Sequence, residues 1–289
     1  MRYITFLRDG ISRPGVLEGQ TVRPFPVEIA TLADFVALGP ARRAALAPQA
    51  ALALADVTLA APLRPCKNVF CVGRNYMGHA EEVARASGKP LNLPSVPTFF
   101  TKAPTAIAAP GQLLHLSPDV SSEYDWEAEL AVVIGKRCRD VPAENALDVV
   151  FGYTCLNDVT ARDLQRAHQQ WFKGKSLDDA CPLGPWIVGV DEIADPQALQ
   201  VSLRLNGALK QNANTSTMIF PVKEIIAQLS RGMTLEPGDV IATGTPDGVG
   251  MARTPPEWLK DGDVMEVEIA GIGILRNGVS LAVPAATAR

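Results

Sequence analysis

Three acidic residues in the chain have the spacing of a possible metal site. Glu127 and Glu129 lie two apart at the start of an apolar run, and Asp158 follows further along the chain. Successive side chains of a β-strand point to opposite faces, so the two glutamates would share one face. Two like charges held side by side cost free energy unless a cation offsets them. The pattern therefore predicts that Glu127, Glu129 and Asp158 bind one metal ion.

The chemistry of these side chains also indicates which ion they would prefer. Carboxylate oxygens are hard ligands, so the set favours Mg2+ first, with Mn2+ or Ca2+ as alternatives, over zinc. A simpler interpretation stays open, because acidic residues that alternate along an edge strand usually face solvent. Two glutamates separated by one residue are a weak motif when they stand alone.

A histidine and a glutamate three residues apart form a second candidate group. On a helix, His79 and Glu82 would lie on one face. The carboxylate would fix the imidazole tautomer and leave the other ring nitrogen to take a proton from water. The alternative is an ordinary surface pair worth about 0.3 kcal/mol. His115 lies in an apolar run and His168 lacks a carboxylate at helical spacing, so His79 is the best-placed base.

Cationic and amide side chains after Asp158 suggest that an anion binds nearby. Arg162 and Gln165 are three apart on a predicted helix, and Lys175 stands between a glycine and a serine. We expect Lys175 to be a flexible donor that stabilises charge developing during bond cleavage. Taken alone, each of these residues would be interpreted as a solvated side chain. The glycine-rich loop at residues 242–250 is either a close backbone approach to a ligand or a plain tight turn.

The composition excludes several classes of partner. With 289 residues, of which 47% are hydrophobic, the chain can form one large domain with a buried core and a smaller one. The formal net charge of -4, without a lysine or arginine run, argues against nucleic acid. No apolar stretch reaches about eighteen residues, so we expect no membrane partner and a cytoplasmic protein. Five cysteines without a C-x-x-C pair argue against a disulfide framework and a zinc site.

The residues above would be positioned by strands and helices in two predicted parts of the chain. Two prolines, Pro62 and Pro65, mark the predicted linker between these parts. Residues 1–65 are predicted to be a small N-terminal α+β domain, and residues 66–289 a mostly β catalytic domain. Hairpin turns are predicted at residues 9–10 and 206–207. Strands are predicted at residues 69–72, 98–100, 128–134, 186–188, 201–205, 240–242 and 264–269. Helices are predicted at residues 32–38, capped by Thr31, and at 41–55, 79–86, 161–169 and 222–231.

Several stretches together resemble the fumarylacetoacetate hydrolase superfamily. They lie at residues 73–82, 125–136, 152–165, 170–185, 238–250 and 260–277. Each is modest alone, but together they are specific and cover most of residues 66–280. The resemblance implies a mixed α+β, mostly β catalytic fold of the β-roll-like kind, in a chain that forms a homodimer. The name-giving enzyme has a longer N-terminal SH3-like domain, so its narrow substrate need not transfer to this chain.

The resemblance also implies a role for each candidate residue. The three carboxylates would be the metal ligands, and the histidine and glutamate pair would lie on a mobile lid and activate water. The catalytic residues would be His79, Glu82 and Lys175, and the substrate-binding residues Arg162, Gln165 and Thr245.

These residues lead us to expect a metal-dependent hydrolase. Its substrate would be a small anionic 2-oxo acid, and it would cleave a carbon-carbon bond in a short acylpyruvate-type β-diketo acid such as fumarylpyruvate or acetylpyruvate. The metal would chelate the substrate carboxylate and the adjacent 2-oxo oxygen. The alternatives are a decarboxylase, isomerase or hydratase of a related 2-oxo acid, of the oxaloacetate or hydroxymuconate type, or a ureidoglycolate lyase. A binding protein without catalysis is disfavoured, because the three candidate metal ligands and the pair of His79 and Glu82 are all present.

Overall fold

The computed structural model describes residues 1–47 and 49–282 of the chain. The described residues form nineteen strands and six α-helices. The strands are β1 (Arg2–Arg8), β2 (Ile11–Glu18), β3 (Thr21–Pro24), β4 (Leu52–Ala53), β5 (Thr58–Ala60), β6 (Val69–Gly73), β7 (Thr98–Lys102), β8 (Ile107–Ala108), β9 (Leu113–His115), β10 (Tyr124–Asp125), β11 (Ala128–Ile134), β12 (Val150–Asn157), β13 (Thr160–Ala161), β14 (Cys181–Gly189), β15 (Gln200–Leu205), β16 (Ala208–Asn214), β17 (Val240–Ala242), β18 (Val264–Ile269) and β19 (Gly273–Ser280). The helices are α1 (Leu32–Ala37), α2 (Pro40–Ala44), α3 (Met77–Ser87), α4 (Arg162–Ala167), α5 (Phe172–Lys175) and α6 (Val222–Ser230).

Two sheets account for nearly all of these strands. The larger sheet has the order β4-β3-β2-β1-β14-β12-β11-β17-β6-β7, with β5 paired to β1 and β8 paired to β14. The smaller sheet has the order β16-β15-β18-β19-β9, and β10 pairs with β13 alone. Most neighbours are antiparallel, whereas β17 and β6 run parallel. The prediction of a mixed, mostly β fold is confirmed.

Strand β11 lies at the centre of the larger sheet and is buried on both faces. It pairs with β12 on one side and with β17 on the other. Leu130, Val132 and Ile134 belong to one hydrophobic cluster, while Ala131 and Val133 belong to another. A near-continuous apolar run is what a strand covered on both faces requires. The interpretation of this segment as a solvated edge strand is therefore wrong.

Several local features follow the sequence closely. Strands β11, β17 and β18 have the predicted limits. Asp9 and Gly10, and likewise Asn206 and Gly207, have positive φ angles between 51 and 80°. Such angles match the right-handed twist of the strands that a two-residue turn connects. Thr31 caps α1 with its side chain, as predicted.

The alanine-rich segment at residues 41–55 is not one helix. Helix α2 ends at Ala44, and Leu52 and Ala53 form β4, which pairs with β3. Pro48 lies outside the described residues. The predicted helix is therefore wrong beyond Ala44, because pairing with a neighbouring strand overrides the helix preference of alanine.

The first strands continue the larger sheet. Strand β1 pairs with β14 through Arg2 and Tyr3. The Tyr3 ring also contacts Phe151 of β12, with ring centroids 4.7 Å apart. The N-terminal strands are thus joined to the sheet that carries the carboxylates, and a domain boundary at residue 65 stays a prediction.

Candidate active site

The three predicted metal ligands meet in one buried volume. Glu129 lies in β11, Glu127 directly precedes that strand, and Asp158 directly follows β12. Ala128 of β11 pairs with Asn157 of β12, and the Asp158 N–H donates to the Glu127 carbonyl at 2.8 Å. One oxygen from each carboxylate lies within 4.8 Å of the others. The exposed fractions of Glu127, Glu129 and Asp158 are 5%, 1% and 0%, so these acids do not form a solvated face.

Two buried lysines offset most of this negative charge. Lys175 Nζ donates to Glu127 Oε2 and to Asp158 Oδ2, both at 2.7 Å. Lys102 Nζ donates to Asp158 Oδ1, also at 2.7 Å. With Arg162 and its second partner Asp125 included, four carboxylates against three cations leave one formal negative charge. Because buried charge is stable only when it is balanced, the cluster can accept a divalent cation together with an anionic ligand.

The two glutamates differ in how readily they ionise. Burial raises the pKa of Glu129 well above its usual range, and the charges of Asp158 and Glu127 raise it further. Burial also opposes ionisation of Glu127, but the Lys175 and Arg162 cations outweigh it and lower the pKa of Glu127 to about 2. Of the two glutamates, Glu129 therefore gains more from a cation placed beside it.

The donor set fits a hard divalent ion. Glu129 Oε2 accepts a hydrogen bond from the Gly244 N–H at 2.7 Å, which fixes the direction of this carboxylate. Among the described residues, no basic side chain forms an ion pair with Glu129. Carboxylate oxygens without sulfur or imidazole suit Mg2+ or Mn2+. Glu127, Glu129 and Asp158 are thus the residues that would hold a metal.

Arg162 is fixed beside the carboxylates by a buried aspartate. Its guanidinium lies 2.8 Å from Asp125 and 2.7 Å from Glu127. It also donates to Gln165 Oε1 at 3.1 Å. Burial raises the pKa of Asp125, although Arg162 acts in the opposite direction. Arg162 therefore holds Glu127 by an ion pair and orients Gln165 by a hydrogen bond. Both Arg162 and Gln165 line the cavity described below.

The predicted pair of a general base and its carboxylate partner, His79 and Glu82, lies on α3. His79 Nδ1 is 2.7 Å from Glu82 Oε1, and both residues are buried. Glu82 Oε2 accepts a hydrogen bond from the Gly248 N–H at 2.8 Å, so one carboxylate orients the ring and connects α3 to a loop. His115 and His168 are exposed. Because His79 and Glu82 are buried, the interpretation of an ordinary surface pair is wrong.

One cavity of about 550 Å3 joins the two candidate groups. Seven of the predicted site residues line it: His79, Glu127, Glu129, Arg162, Gln165, Lys175 and Thr245. The other two, Glu82 and Asp158, lie behind this lining as partners of His79 and Lys175. The structure therefore brings all nine predicted residues together.

The glycine-rich loop at residues 242–250 binds carboxylates of the protein itself. Gly244 donates its N–H to Glu129, and Gly248 donates its N–H to Glu82. Their φ angles of 99 and 102° lie in a region that favours glycine. The two interpretations offered by the sequence, a ligand contact or a plain turn, both missed this function of the loop.

Thr245 is fixed to the central strand through a glutamine. Its hydroxyl accepts a hydrogen bond from Gln211 Nε2 at 2.8 Å. Gln211 Oε1 in turn accepts from the Ala128 N–H at 2.8 Å. Thr245 lines the cavity, and its contact with a substrate carboxylate stays a prediction.

Two lysines differ from the sequence-based expectation. Lys175 was expected to be flexible, but it ends α5, is 2% exposed and is held by two carboxylates. That expectation is wrong because ion pairs outweigh the flexibility of the neighbouring glycine and serine. Lys102 was not predicted at all. The only signal for Lys102 was a lysine at the end of the apolar strand β7, and its partner Asp158 is 56 positions away.

Residues 68–280 match the family described as Fumarylacetoacetate (FAA) hydrolase C-terminal. This range contains every residue of the site described above. The chain belongs to the fumarylacetoacetate hydrolase family. The resemblance inferred from the sequence motifs is therefore confirmed.

Members of this family similar to the chain carry different names. Oxaloacetate tautomerase YisK of Bacillus subtilis (strain 168) is 48% identical over 227 residues, which cover 78% of this chain and 74% of that protein. The mitochondrial Oxaloacetate tautomerase Fahd2a of Rattus norvegicus is 43% identical over 244 residues, which cover 84% and 76%. The structure of Fumarylacetoacetate hydrolase (EaFAH) from psychrophilic Exiguobacterium antarcticum has a TM-score of 0.82 and 41% identity, and covers 98% of this chain and 100% of that one.

The location and assembly of this family member stay predictions. No helix in the described part of the chain is both long and apolar enough to cross a bilayer. The rat relative is named as mitochondrial, so the expected cytoplasmic location needs its own test, as does the expected homodimer.

Proposed function

We propose that this protein is a metal-dependent tautomerase that interconverts the keto and enol forms of oxaloacetate or a closely similar 2-oxo diacid. The observation that carries the proposal is that the carboxylate cluster and the His79–Glu82 pair share one cavity. Two relatives named oxaloacetate tautomerase, 48% and 43% identical to the chain, support it. They support the isomerase-type alternative raised by the sequence more than carbon-carbon hydrolysis.

Tautomerisation moves protons and consumes no water. In the direction from keto to enol, one proton leaves C3 and one proton is added to the 2-oxo oxygen, so the atoms balance. Negative charge develops on that oxygen while the C3 proton is away. A divalent ion held by Glu127, Glu129 and Asp158 would supply the positive charge that stabilises the enolate.

In this proposal His79 is the group that moves the C3 proton. Its Nδ1 is bound to Glu82, and the ring lines the cavity, so Nε2 is the nitrogen left to exchange a proton with the substrate. Glu82 fixes the ring orientation and stabilises the imidazolium that forms when the proton is taken up. The Gly248 N–H holds Glu82 in place.

The remaining cavity residues would bind and orient the substrate. Lys175 places a buried ammonium group beside Glu127 and Asp158, where it adds to the stabilisation of charge on the 2-oxo oxygen. The Gln165 amide and the Thr245 hydroxyl line the cavity and would bind substrate carboxylate oxygens. In this proposal Arg162 acts mainly on Glu127, with which it forms an ion pair.

Hydrolysis of an acylpyruvate is the second candidate function. The His79–Glu82 pair favours it, because a nitrogen that can take a proton from carbon can also take one from water. The similar structure named fumarylacetoacetate hydrolase also favours it. The two functions differ in whether water enters the product.

A product assay separates these functions. Purified protein with Mg2+ would be mixed with enol-oxaloacetate, and the ultraviolet absorbance of the enol followed, with acetylpyruvate tested in parallel. We expect accelerated loss of the enol without pyruvate formation, and no accelerated release of acetate from acetylpyruvate. Acetate release with unchanged enol decay would contradict the proposal and favour hydrolysis, whereas pyruvate formed from oxaloacetate would indicate decarboxylation.

A further inference from the structure

We infer that Arg74 binds a second carboxylate at the mouth of the cavity, so that the protein selects 2-oxo acids with an acidic tail. This inference rests on the proposed function, since it concerns the end of the diacid that lies away from the carboxylate cluster. Arg74 lies between β6 and α3 and lines the same cavity as Glu129 and Lys175.

The Arg74 guanidinium differs from the other arginines of this cavity in having no acidic partner. Arg162 pairs with Asp125, and Arg166 pairs with Glu123 at 2.6 Å. Within residues 1–47 and 49–282, no carboxylate forms an ion pair with Arg74. A guanidinium without a partner can form a two-point pair with an incoming carboxylate.

An aromatic ring lies beside this guanidinium. Its central carbon lies 5.5 Å from the ring centroid of Trp171. Trp171 itself packs against Phe100 at 5.2 Å. The ring also lies so close to Gly73 that a Cβ there would be 2.3 Å from it, so only glycine fits. A guanidinium over a ring keeps its N–H groups available at the edge, where a carboxylate can reach them.

The backbone also constrains Arg74. Its φ angle is 54°, a left-handed conformation that is unfavourable for arginine. The next residue, Asn75, is fully buried and anchors the turn. Its side chain donates to the Thr243 carbonyl at 2.7 Å and accepts from the Phe220 N–H at 2.8 Å. An unfavourable backbone conformation that the surroundings impose is often found at ligand-binding positions.

A row of contacts connects Arg74 to the carboxylate cluster. It runs from Arg74 to Trp171, from Trp171 to Phe100, and from Phe100 to Lys175, whose Nζ lies 5.2 Å from the Phe100 centroid. Lys175 is bound to Glu127 of the cluster. One wall of the cavity thus has a cation at each end, and Arg74 is the cation that lies away from the carboxylate cluster.

Lys89 is the other cation at the cavity mouth that lacks an acidic partner among the described residues. It follows Gly88 at the end of α3 and, like Arg74, is exposed. Its ammonium group has no ring or hydrogen-bond contact within the part of the chain that the structure describes. We assign the second carboxylate to Arg74, because its guanidinium contacts the Trp171 ring and the next residue, Asn75, is anchored, so less freedom is lost on binding than at Lys89.

Two matched 2-hydroxy acids test this assignment without turnover. Malate and 2-hydroxybutanoate present the same oxygens to the carboxylate cluster and differ in the tail, which is a carboxylate in one and a methyl group in the other. Their affinities for the Mg2+-loaded protein would be measured by calorimetry. The proteins compared would be the wild type, R74Q, R74K, and the controls R166Q and K89Q.

We expect the wild type to prefer malate and R74Q to lose this preference by about 10- to 100-fold, with 2-hydroxybutanoate binding unchanged. R74K should recover part of it, and R166Q and K89Q should keep it. A wild type without preference, a preference retained in R74Q, or an equal loss in R166Q or K89Q would overturn the inference. If R74Q loses the preference while the wild type does not tautomerise oxaloacetate, only the proposed function fails.

Discussion

The carboxylate cluster and the His79–Glu82 pair share a cavity but rest on different kinds of structure. The carboxylates lie at the ends of β11 and β12, two central strands of a large sheet, and buried lysines hold two of them. The His79–Glu82 pair lies on α3, an eleven-residue helix. A hydrogen bond from the Gly248 N–H to Glu82 connects this helix to the loop beside it. The comparison teaches that the proposed metal site and the proposed proton-transferring pair are supported by separate elements, so substitutions should separate the two functions.

Glu129→Gln should have the largest effect. It removes one of three carboxylate ligands while keeping the shape of the side chain, so Mn2+ affinity should fall by more than about 100-fold, beyond the loss typical of outer-shell changes. Turnover should be lost with it. Titration calorimetry measures the affinity, and Glu123→Gln, in the same acidic segment but paired with the exposed Arg166, is the matched control. Unchanged Mn2+ affinity in Glu129→Gln would show that this glutamate is not a ligand.

His79→Gln should affect turnover alone. The proton-transferring group is removed, so turnover should fall by about 100- to 10,000-fold. Mn2+ affinity should stay that of the wild type, because the imidazole ring is not part of the carboxylate group that could hold an ion. His115→Gln changes an exposed histidine outside the cavity and is the control. If His79→Gln weakened metal binding as much as Glu129→Gln does, the two halves of the site would not be independent.

Glu82→Gln should have a smaller effect than His79→Gln. Glutamine keeps an oxygen that can accept the Gly248 N–H, but it removes the charge that stabilises the imidazolium. We expect turnover to fall by about 10- to 100-fold, the range typical of carboxylates that orient an imidazole. A Glu82→Gln variant with wild-type turnover would contradict the role of Glu82 as the partner of His79.

Added Mg2+ should raise the thermal stability of proteins that keep all three carboxylates, whether or not His79 is present. A ligand at a hundred times its Kd stabilises the folded state by about 2.7 kcal/mol. Mg2+ should therefore raise the melting temperature of the wild type and of His79→Gln by a similar amount, and that of Glu129→Gln hardly at all. Differential scanning calorimetry with and without a chelator measures this shift. An equal rise in all three proteins would place the bound ion elsewhere.

The parts of the fold and site that local rules control could be predicted. The alternation of Glu127 and Glu129 along a strand, and the limits of β11, follow from side-chain periodicity. The spacing of His79 and Glu82 follows from the helix repeat. The turn at Asn206–Gly207 follows from backbone preference, since both residues tolerate positive φ.

The parts that depend on distant contacts could not be predicted. Lys102 meets Asp158 although three strands, β11, β17 and β6, lie between β7 and β12 in the larger sheet, and no local pattern indicates that contact. The burial of Lys175 depends on two carboxylates that are distant in sequence, whereas its neighbours suggested flexibility. Leu52 entered a strand through pairing with β3 despite its alanine-rich surroundings.

The most direct test is anomalous diffraction from crystals of the protein grown with Mn2+. We predict a single strong anomalous peak bounded by carboxylate oxygens of Glu127, Glu129 and Asp158, with His79 and Glu82 contributing no ligand to it. Crystals that bind Mn2+ elsewhere, or that show these three side chains without a peak between them, would contradict the metal site on which the proposed function depends.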